Sequence, residues 1–512
     1  MELFAKNGVT IQNLKAHEGK NVQLNAWVMN KRSSKKLVFL VLRDGTGFCQ
    51  CVVNVDDVGE TVFEQAKRIP LESSVCVGGA IIKDERQVGG YELQASSFQI
   101  YAEAEDYPIG KKEHGVDFLL DNRHLWLRSR KQWAIMRIRN KVIFSLHQFF
   151  QQREFLQMDA PIFTGNACEG TTELFETDYF DTKAYLSQSG QLYGEAMAMA
   201  MGKIYTFGPT FRAEKSKTRR HLTEFIMIEP EMAFYDLAMT MDLIEDMIKE
   251  VVQKVLADCQ QELEILERDL KPLENVSKAF PKITYDEACE ILKGAKSING
   301  KTAPGLLEED LAHHQAELSE TKAKITEYEG ILNKGGLKKG KINYYTEQVR
   351  RMKVRAKVLE TKIGNIPQWL KSAKEFEYGN DFGGSDETVI TRLFDTPVMV
   401  YNWPKAIKAF YMKTCEDRAD QVKGVDVLAP EGYGEIIGGA ERETDKSLLI
   451  ESIKKHELPM DAFEWYLDLR RFGSVPHAGF GLGLERFVSW ICHLEHLRES
   501  IPFPRTMGRL LP

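Results

Sequence analysis

Between residues 20 and 104, apolar and polar positions alternate in short runs. NVQLNAWVMN, KLVFLVLRD, FCQCVVNV, SVCVGGAII and YELQASSFQIYA are rich in Val and Phe, and Gly-Lys, Asp-Gly-Thr-Gly and Gly-Gly turns part them. Five such strands predict a small closed β-barrel of OB-fold size, with VFEQAKRIP as its one helical break. The polar stretch AEAEDYPIGKKEHG then predicts a linker.

From Trp133 the spacing changes. Ile135, Ile138, Val142, Ile143, Leu146 and Phe149 recur at helical intervals. IYTFGPTFRAE, EFIMIEPEMAFYD, PVMVYNWP, KAFYMKT and GVDVLAP read as strands between longer helices. The pattern predicts an α+β domain with a largely antiparallel sheet. Residues 306–366 differ again. Leu307, Leu311, His314, Leu318, Thr321, Ile325, Tyr328 and Leu332 step by four and three, as do Tyr345, Val349, Met352, Ala356, Leu359, Ile363 and Ile366. With KGGLKKGK between the runs, this predicts an antiparallel coiled-coil hairpin. Its first arm (306–332) has seven acids and two bases, and its second (338–363) nine bases and two acids. Their attraction favours pairing with each other, and the hairpin reads as a solvated strut ahead of an RNA-touching arm. The expected division is 1–104 barrel, 105–130 linker, 131–294 and 373–512 two parts of one α+β domain, and 295–372 helical insert.

Composition narrows the class. The chain has 512 residues, 43% apolar and 28% charged, as in soluble globular proteins of several domains. It holds no apolar run of roughly 18 residues, so no membrane helix is expected, and MELFAKNGVTIQNLK lacks the apolar core of a signal peptide. A net charge of −7 excludes a non-specific coater of nucleic acid and leaves any such contact to local patches. The 8 cysteines stand singly except Cys49 and Cys51, which read as buried thiols rather than zinc ligands. A reducing, cytoplasmic setting fits them.

Three segments carry chemistry. In GPTFRAEKSKTRRHLTEFIMIEPE (208–231), a strand leads to Arg212 and Glu214, a basic loop follows, and a second strand brings Glu224, Phe225, Glu229 and Glu231. Buried without partners these charges would be costly, so they are better explained as lining a polar pocket than as a surface ladder. In GFGLGLERF (479–487) the glycines allow close backbone approach and Arg486 sits just inside a helix. GYGEIIGGAER (432–442) sets Glu435 and Arg442 seven residues apart, and Glu435 is a hard carboxylate suited to Mg²⁺ on substrate phosphates.

Together these segments resemble the class II aminoacyl-tRNA synthetases, in the aspartate/asparagine/lysine subgroup. Arg212-Ala-Glu214 resembles motif 2, Gly481-Leu-Gly483-Leu-Glu485-Arg486 resembles motif 3, and the helix ending in Pro161 resembles motif 1, the dimer element. The resemblance spans nearly the whole chain except the hairpin, and it implies an ATP-dependent ligase acting as a homodimer. It implies that Arg212 holds the ATP α-phosphate and the amino-acid carboxylate, that Glu214 and Phe225 read adenine, that His221 reaches the outer phosphates, and that Arg486 binds the γ-phosphate. It implies that Glu435 and Asp426 hold Mg²⁺, across a gap slightly longer than the family's usual one. NACEGTTELFE (166–176) resembles the mobile loop whose glutamate, here Glu169, meets the substrate ammonium. SGQLYGE (189–195) resembles the amino-acid pocket strand, with Ser189, Gln191 and Glu229 around the ammonium.

The same resemblance points to asparagine. Arg442 is expected to face the side-chain oxygen. Aspartate-specific members carry a lysine where this chain has Gly194 followed by Glu195, and an acid there suits an amide. NKRSSK (30–35), EIIGG and IPFPRT also look like the asparagine branch. In the barrel, Arg32, Phe39 and Gln50 match positions that bind the central anticodon uridine, against the plainer reading of Phe39 as core. Lys31, Arg32, Lys35 and Lys36 form a basic patch, as contact with the partner tRNA(Asn) requires. Alternatives are aspartate, or both amino acids, as substrate, and a non-catalytic RNA-binding paralogue.

Overall fold

The computed structural model describes residues 9–87, 89–110, 112, 114–165, 174–215, 218 and 220–512. The chain falls into two compact units, Met1–Trp126 and Leu127–Pro512.

In the first unit, β1 (Asn21–Ser33), β2 (Leu37–Arg43), β3 (Phe48–Asn54), β4 (Ser74–Lys83) and β5 (Tyr91–Ala102) close a barrel in the order β1-β2-β3-β5-β4. Alternation fills it: Val38, Leu40 and Leu42 of β2 are fully buried, while Phe39 between them lies on the outer face, half-buried. Helix α1 (Glu60–Arg68) buries Phe63 and Ala66 between β3 and β4 in sequence. Cys49 and Cys51 lie in this core, and burial pushes the Cys49 thiol up to about 12, so it carries no thiolate character.

The second unit is built on an eight-stranded sheet. Its strands are β6 (Leu156–Gln157), β10 (Lys203–Phe211), β11 (Glu224–Ala233), β12 (Lys282–Thr284), β13 (Val398–Pro404), β14 (Gln421–Ala429), β15 (Gly434–Glu441) and β16 (His477–Gly483). The order is β12-β13-β14-β15-β16-β11-β10-β6, antiparallel through the middle with a parallel pair at each edge. A small sheet of β7 (Phe163–Thr164), β8 (Glu176–Tyr179) and β9 (Thr182–Leu186) stands apart. Helices α2 (Arg130–Gln151) and α4 (Leu237–Asp258) cover one face. Ile138, Val142, Ile248 and Val251 from them share a core with Ile228, Val425, Val427, Ile437 and Leu482 of the sheet. The other residues of those strands face away from this core, towards the site described below. Helix α2 ends at Gln151, so Pro161 lies in the loop beyond it and not at its terminus.

Among the other helices of this unit are α3 (Gln191–Met201), α7 (Gly384–Thr391), α8 (Glu464–Arg471) and α9 (Leu484–Ile491). The hairpin is α5 (Ala303–Asn333) and α6 (Lys339–Lys374), with Ile325, Val349 and Ala356 as its inner seam. Its base is not separate, because Leu306, Leu307, Ile366 and Ala373 belong to a core shared with Tyr285, Ile390 and Val400. KAFYMKT is not a strand. Consecutive Phe410 and Tyr411 are both buried against Phe463 and Tyr466, which an alternating strand cannot achieve, and only bridges at Met412 and Thr414 remain. No helix among the described residues is long and apolar enough to cross a membrane.

Candidate active site

The floor of the site is made by missing side chains. On β11, Phe225, Met227, Glu229 and Glu231 share a face by alternation, and β16 runs antiparallel beside it with Gly479, Gly481 and Gly483. A Cβ on Gly479 would lie 2.2 Å from Glu231 Oε1, and one on Gly481 2.5 Å from Met227 Cε. The glycine stripe of GFGLGLERF is therefore what leaves room for the carboxylates. Above it opens a cavity of about 410 Å³ whose walls include Ser189, Gln191, Arg212, Glu229, Glu231, Lys408, Asp426, Glu435 and Arg442. A smaller one of about 120 Å³ adjoins it, between Arg212, Glu214, His221, Phe225, Glu435 and Arg486.

At one end Glu229 is held by three donors. Gly190 N–H (2.9 Å) and Thr206 Oγ1 (3.2 Å) donate to Oε2, and the Ser189 hydroxyl donates to Oε1. This fixed anion faces the cavity, where an ammonium group would pair with it.

Beside it, Arg442 and Glu231 form a buried ion pair on the cavity wall, with Nε to Oε2 at 3.3 Å and a closer contact from Nη2. Burial pushes the Glu231 carboxyl up to about 7, with Arg442 pulling the other way and Glu195 and Glu229 adding to the rise. The pair offers a cationic donor and a carboxylate acceptor side by side.

At the other end cations converge. The Arg212 guanidinium lies 5.8 Å from the Phe225 ring centroid. Arg486 Nη1 donates to the Glu435 carbonyl (3.0 Å) and to Glu435 Oε2 (3.1 Å). Burial and then Arg486, Arg212 and Arg220 nearby lower the His221 pKa, so the ring is neutral. Burial alone would raise the Glu435 carboxyl, but Arg486, Lys408 and Arg212 together hold it below the usual range. A one-residue bulge in β15 pairs Leu428 with Glu435 and Val427 with Ile437, and so turns Glu435 onto the face of Asp426. The two carboxylates meet over Gly438, where a Cβ would come within 3.2 Å of Glu435 Oε1 and 3.6 Å of Asp426 Oδ1. Burial lifts Asp426 to about 6 even though Lys408 Nζ bonds it at 2.6 Å. Two hard oxygen donors converging on one point, one of them raised by burial despite its lysine partner, fit a divalent cation.

A frame of hydrogen bonds steadies this end. Arg220, itself on the wall of the smaller cavity, donates to the Gly432 carbonyl (2.6 Å) and to Thr388 Oγ1 (3.0 Å), and Glu387 Oε2 accepts the Glu435 N–H at 3.1 Å.

In the barrel, Arg32, Phe39 and Gln50 come together on the outer face. The Arg32 guanidinium stacks 4.5 Å from the Phe39 ring centroid and donates to Gln50 Oε1 at 3.3 Å.

Comparison with known proteins places this geometry. Residues 115–507 match the family described as tRNA synthetases class II (D, K and N), and residues 22–101 match the OB-fold nucleic acid binding domain. The chain belongs to the class II tRNA synthetases (D, K and N). Among class II synthetases, it is similar to the asparagine–tRNA ligase of Sorangium cellulosum (strain So ce56), 48% identical over 98% of this chain and 99% of that one. The corresponding ligase of Symbiobacterium thermophilum is 46% identical over the same shares. Among solved structures it resembles asparaginyl-tRNA synthetase from Pyrococcus horikoshii complexed with asparaginyl-adenylate. That likeness has a TM-score of 0.80 and 36% identity, and covers 99% of this chain and 100% of that one.

Of the residues singled out in this class II chain, Ser189, Gln191, Glu229, Arg442, Arg212, Asp426 and Glu435 line the larger cavity, and Glu214, His221, Phe225 and Arg486 the smaller. Glu169 lies outside the described residues. Glu195 does not reach the wall. It is fully buried behind Gln191, and its oxygens accept from Gln191 Nε2 (3.1 Å), Tyr466 Oη (2.7 and 2.8 Å) and Arg470 Nη2 (2.8 Å), with His477 Nε2 at 3.0 Å. Arg470, His477 and Arg442 overcome burial and keep it ionised well below the ordinary carboxylate range. The reason is that SGQLYGE starts helix α3 rather than a strand, so Glu195 sits one turn beyond Gln191 instead of beside it. The place at the wall belongs to Glu231. Its signal was the two-residue step from Glu229 along one strand face. Lys408 and Glu387 gave no signal, since each comes to the site from a distant segment, and Arg220 stands in the basic loop beside His221 with nothing to set it apart from the other bases there.

Proposed function

We propose that this protein activates L-asparagine with ATP, giving asparaginyl-adenylate and pyrophosphate, and then transfers asparagine to the 3′ end of tRNA(Asn). The observation that carries the choice of amino acid is the buried Arg442–Glu231 pair on the cavity wall. A side-chain amide offers a carbonyl to Arg442 and an NH₂ to Glu231, and satisfies both. An aspartate carboxylate satisfies only Arg442.

Adenylation follows from the layout. Glu229 anchors the substrate ammonium, and Gln191 and Ser189 border that pocket. The asparagine carboxylate then lies beside Arg212, which also meets the ATP α-phosphate. In-line attack at phosphorus concentrates charge there, and a fixed guanidinium stabilises it without reorganisation. Adenine stacks on Phe225 beside Glu214, and Arg486 and His221 meet the outer phosphates. Glu435 and Asp426 would hold Mg²⁺, which neutralises charge on the ATP phosphates when bound. In transfer, a hydroxyl of the terminal ribose of the RNA attacks the activated carbonyl; the new ester bond forms as the acyl–phosphate bond breaks, and AMP leaves with the hydroxyl proton passing to its phosphate or to solvent.

The barrel supports tRNA recognition. Phe39 presents an exposed face already stacked by Arg32, with Gln50 alongside, as suits an unstacked base. A homodimer through the motif 1 region is supported by exposed apolar side chains on α2 and just after it: Phe144, Leu156, Ile162 and Phe163. A cytoplasmic setting fits the seven cysteines among the described residues, all free and six of them buried. The test is charging of tRNA(Asn) with labelled asparagine. Asparaginyl-tRNA that forms only with ATP and Mg²⁺ supports the proposal, and failure to charge in their presence overturns it.

A further inference from the structure

The hairpin carries its charge unevenly. Along the shaft, acids and bases cancel across the two helices. Glu317 pairs both oxygens with Arg355 at 2.7 and 3.0 Å, Glu329 meets Lys353 at 2.7 Å, Glu360 meets Lys322 at 2.7 Å and Glu308 meets Lys374 at 3.2 Å. The tip is different. Residues 330–346 hold four lysines, Lys334, Lys338, Lys339 and Lys341, and no acid. All four are exposed. Gly335 and Gly336, at φ +70° and +77°, close the turn that gathers them.

Beside them Tyr344 is 55% exposed. Its ring is braced edge-on by Tyr345 (centroids 5.3 Å), which in turn packs on Tyr328 (5.2 Å). An aromatic ring held rigid in solvent next to unpaired cations is the chemistry of a nucleic-acid contact, with stacking and phosphate neutralisation side by side. On a chain of net charge −7 such a cluster is local, not a by-product of overall basicity.

Reach argues for the size of the ligand. Helix α6 has 36 residues, roughly 54 Å at 1.5 Å per residue. Its base is locked into the catalytic unit, through Leu306, Leu307 and Ile366 and through the ion pair of Arg392 on Asp310. A cationic tip carried by a helix of that length away from its base meets nothing the size of ATP or an amino acid. The polyanion large enough is the RNA substrate. We propose that the hairpin tip, through its four lysines and Tyr344, binds the phosphate backbone of the tRNA during charging. The inference rests on the tRNA-charging reading above.

The experiment compares the wild type with Lys334→Ser/Lys338→Ser/Lys339→Ser/Lys341→Ser and, separately, with Tyr344→Ser. These side chains are exposed, and a thermal melt checks that folding is unchanged. Affinity for purified tRNA(Asn) is measured by fluorescence anisotropy across a series of salt concentrations, and asparagine-dependent ATP–pyrophosphate exchange is measured without RNA. The lysine variant should bind tRNA about 10-fold more weakly near physiological salt, and its log–log salt slope should fall by about 3, close to one counterion per lysine. Tyr344→Ser should weaken binding and leave the slope unchanged. Exchange should be untouched in both. An unaltered affinity and slope in the lysine variant would overturn the proposal and leave the tip to a protein partner. Absent exchange in the wild type would instead count against the asparagine-activation reading, so the two failures are distinct.

Discussion

Glu231→Gln isolates the group that separates asparagine from aspartate. The substitution keeps the shape of the side chain, so the fit over Gly479 is retained. It removes one negative charge from the cavity wall and leaves Arg442 in place, with Glu195 still 4.0 Å from it. An aspartate side chain taking the place of the amide would bring a second carboxylate against Glu231. Two unit charges about 4 Å apart repel by about 4 kcal/mol at an effective dielectric near 20. At 1.36 kcal/mol per decade that is at most roughly 10³ in kcat/KM; Arg442 offsets part of it, and with its carboxyl at about 7 Glu231 can instead take a proton, which costs about one decade near pH 8. Asparagine, for its part, loses a charge-assisted hydrogen bond of about 1.5–3 kcal/mol, roughly 10- to 100-fold. The variant should therefore use asparagine 10- to 100-fold less well, and the asparagine-to-aspartate ratio should narrow by about two to three decades. The assay is ATP–pyrophosphate exchange with each amino acid at one pH, alongside a melt to confirm folding. A ratio unchanged from wild type in a folded variant would refute the role of Glu231.

Acidity should mimic that mutation. Burial places the Glu231 carboxyl at about 7, so it is ionised above and neutral below that value; the asparagine-to-aspartate ratio of kcat/KM should fall between about pH 8 and about pH 6 and lose this dependence in Glu231→Gln. Arg486→Ala removes a charged contact of about 1.5–3 kcal/mol and should raise the KM for ATP roughly 10- to 100-fold with the melting temperature unchanged, measured by exchange at saturating asparagine. Glu387→Ala orphans the Glu435 N–H; the Mg²⁺ concentration needed for half-maximal exchange should rise by roughly 5- to 10-fold, while the KM for asparagine stays put. Replacing 320–358 by a short glycine link should leave exchange intact, whereas a cut that also takes Leu306, Leu307 and Ile366 should lower the melting temperature, because those residues belong to the catalytic unit's core.

What was legible in the sequence was whatever depends on local period. Alternation in β2 set Phe39 outside the barrel, and the three-four steps of α5 and α6 set the hairpin seam at Ile325, Val349 and Ala356. The glycine stripe of β16 and the acids of β11 announced a polar site because both repeat every second residue. What was not legible depended on where a period changes. Gln191 and Glu195 share a side whether SGQLYGE is strand or helix, but only the helix puts one behind the other. KAFYMKT has the short apolar, aromatic run of a strand and still folds as a loop, because Phe410 and Tyr411 find a separate apolar cluster. The bulge at Ile436 reconciles the long Asp426–Glu435 gap with convergent carboxylates, and nothing in the local sequence marks it. Lys408, Arg220 and Glu387 act through tertiary contacts over long separations.

The central claim is that the cavity selects an amide. Amino-acid-dependent ATP–pyrophosphate exchange by the wild-type protein, run side by side with asparagine and aspartate at equal concentration near pH 8, tests it most directly. The account predicts robust exchange with asparagine and exchange with aspartate lower by about two to three decades in kcat/KM, from the charge-assisted amide bond at Glu231 and the cost of protonating that carboxyl before a second one can enter. Equal exchange with both, or a preference for aspartate, would contradict it.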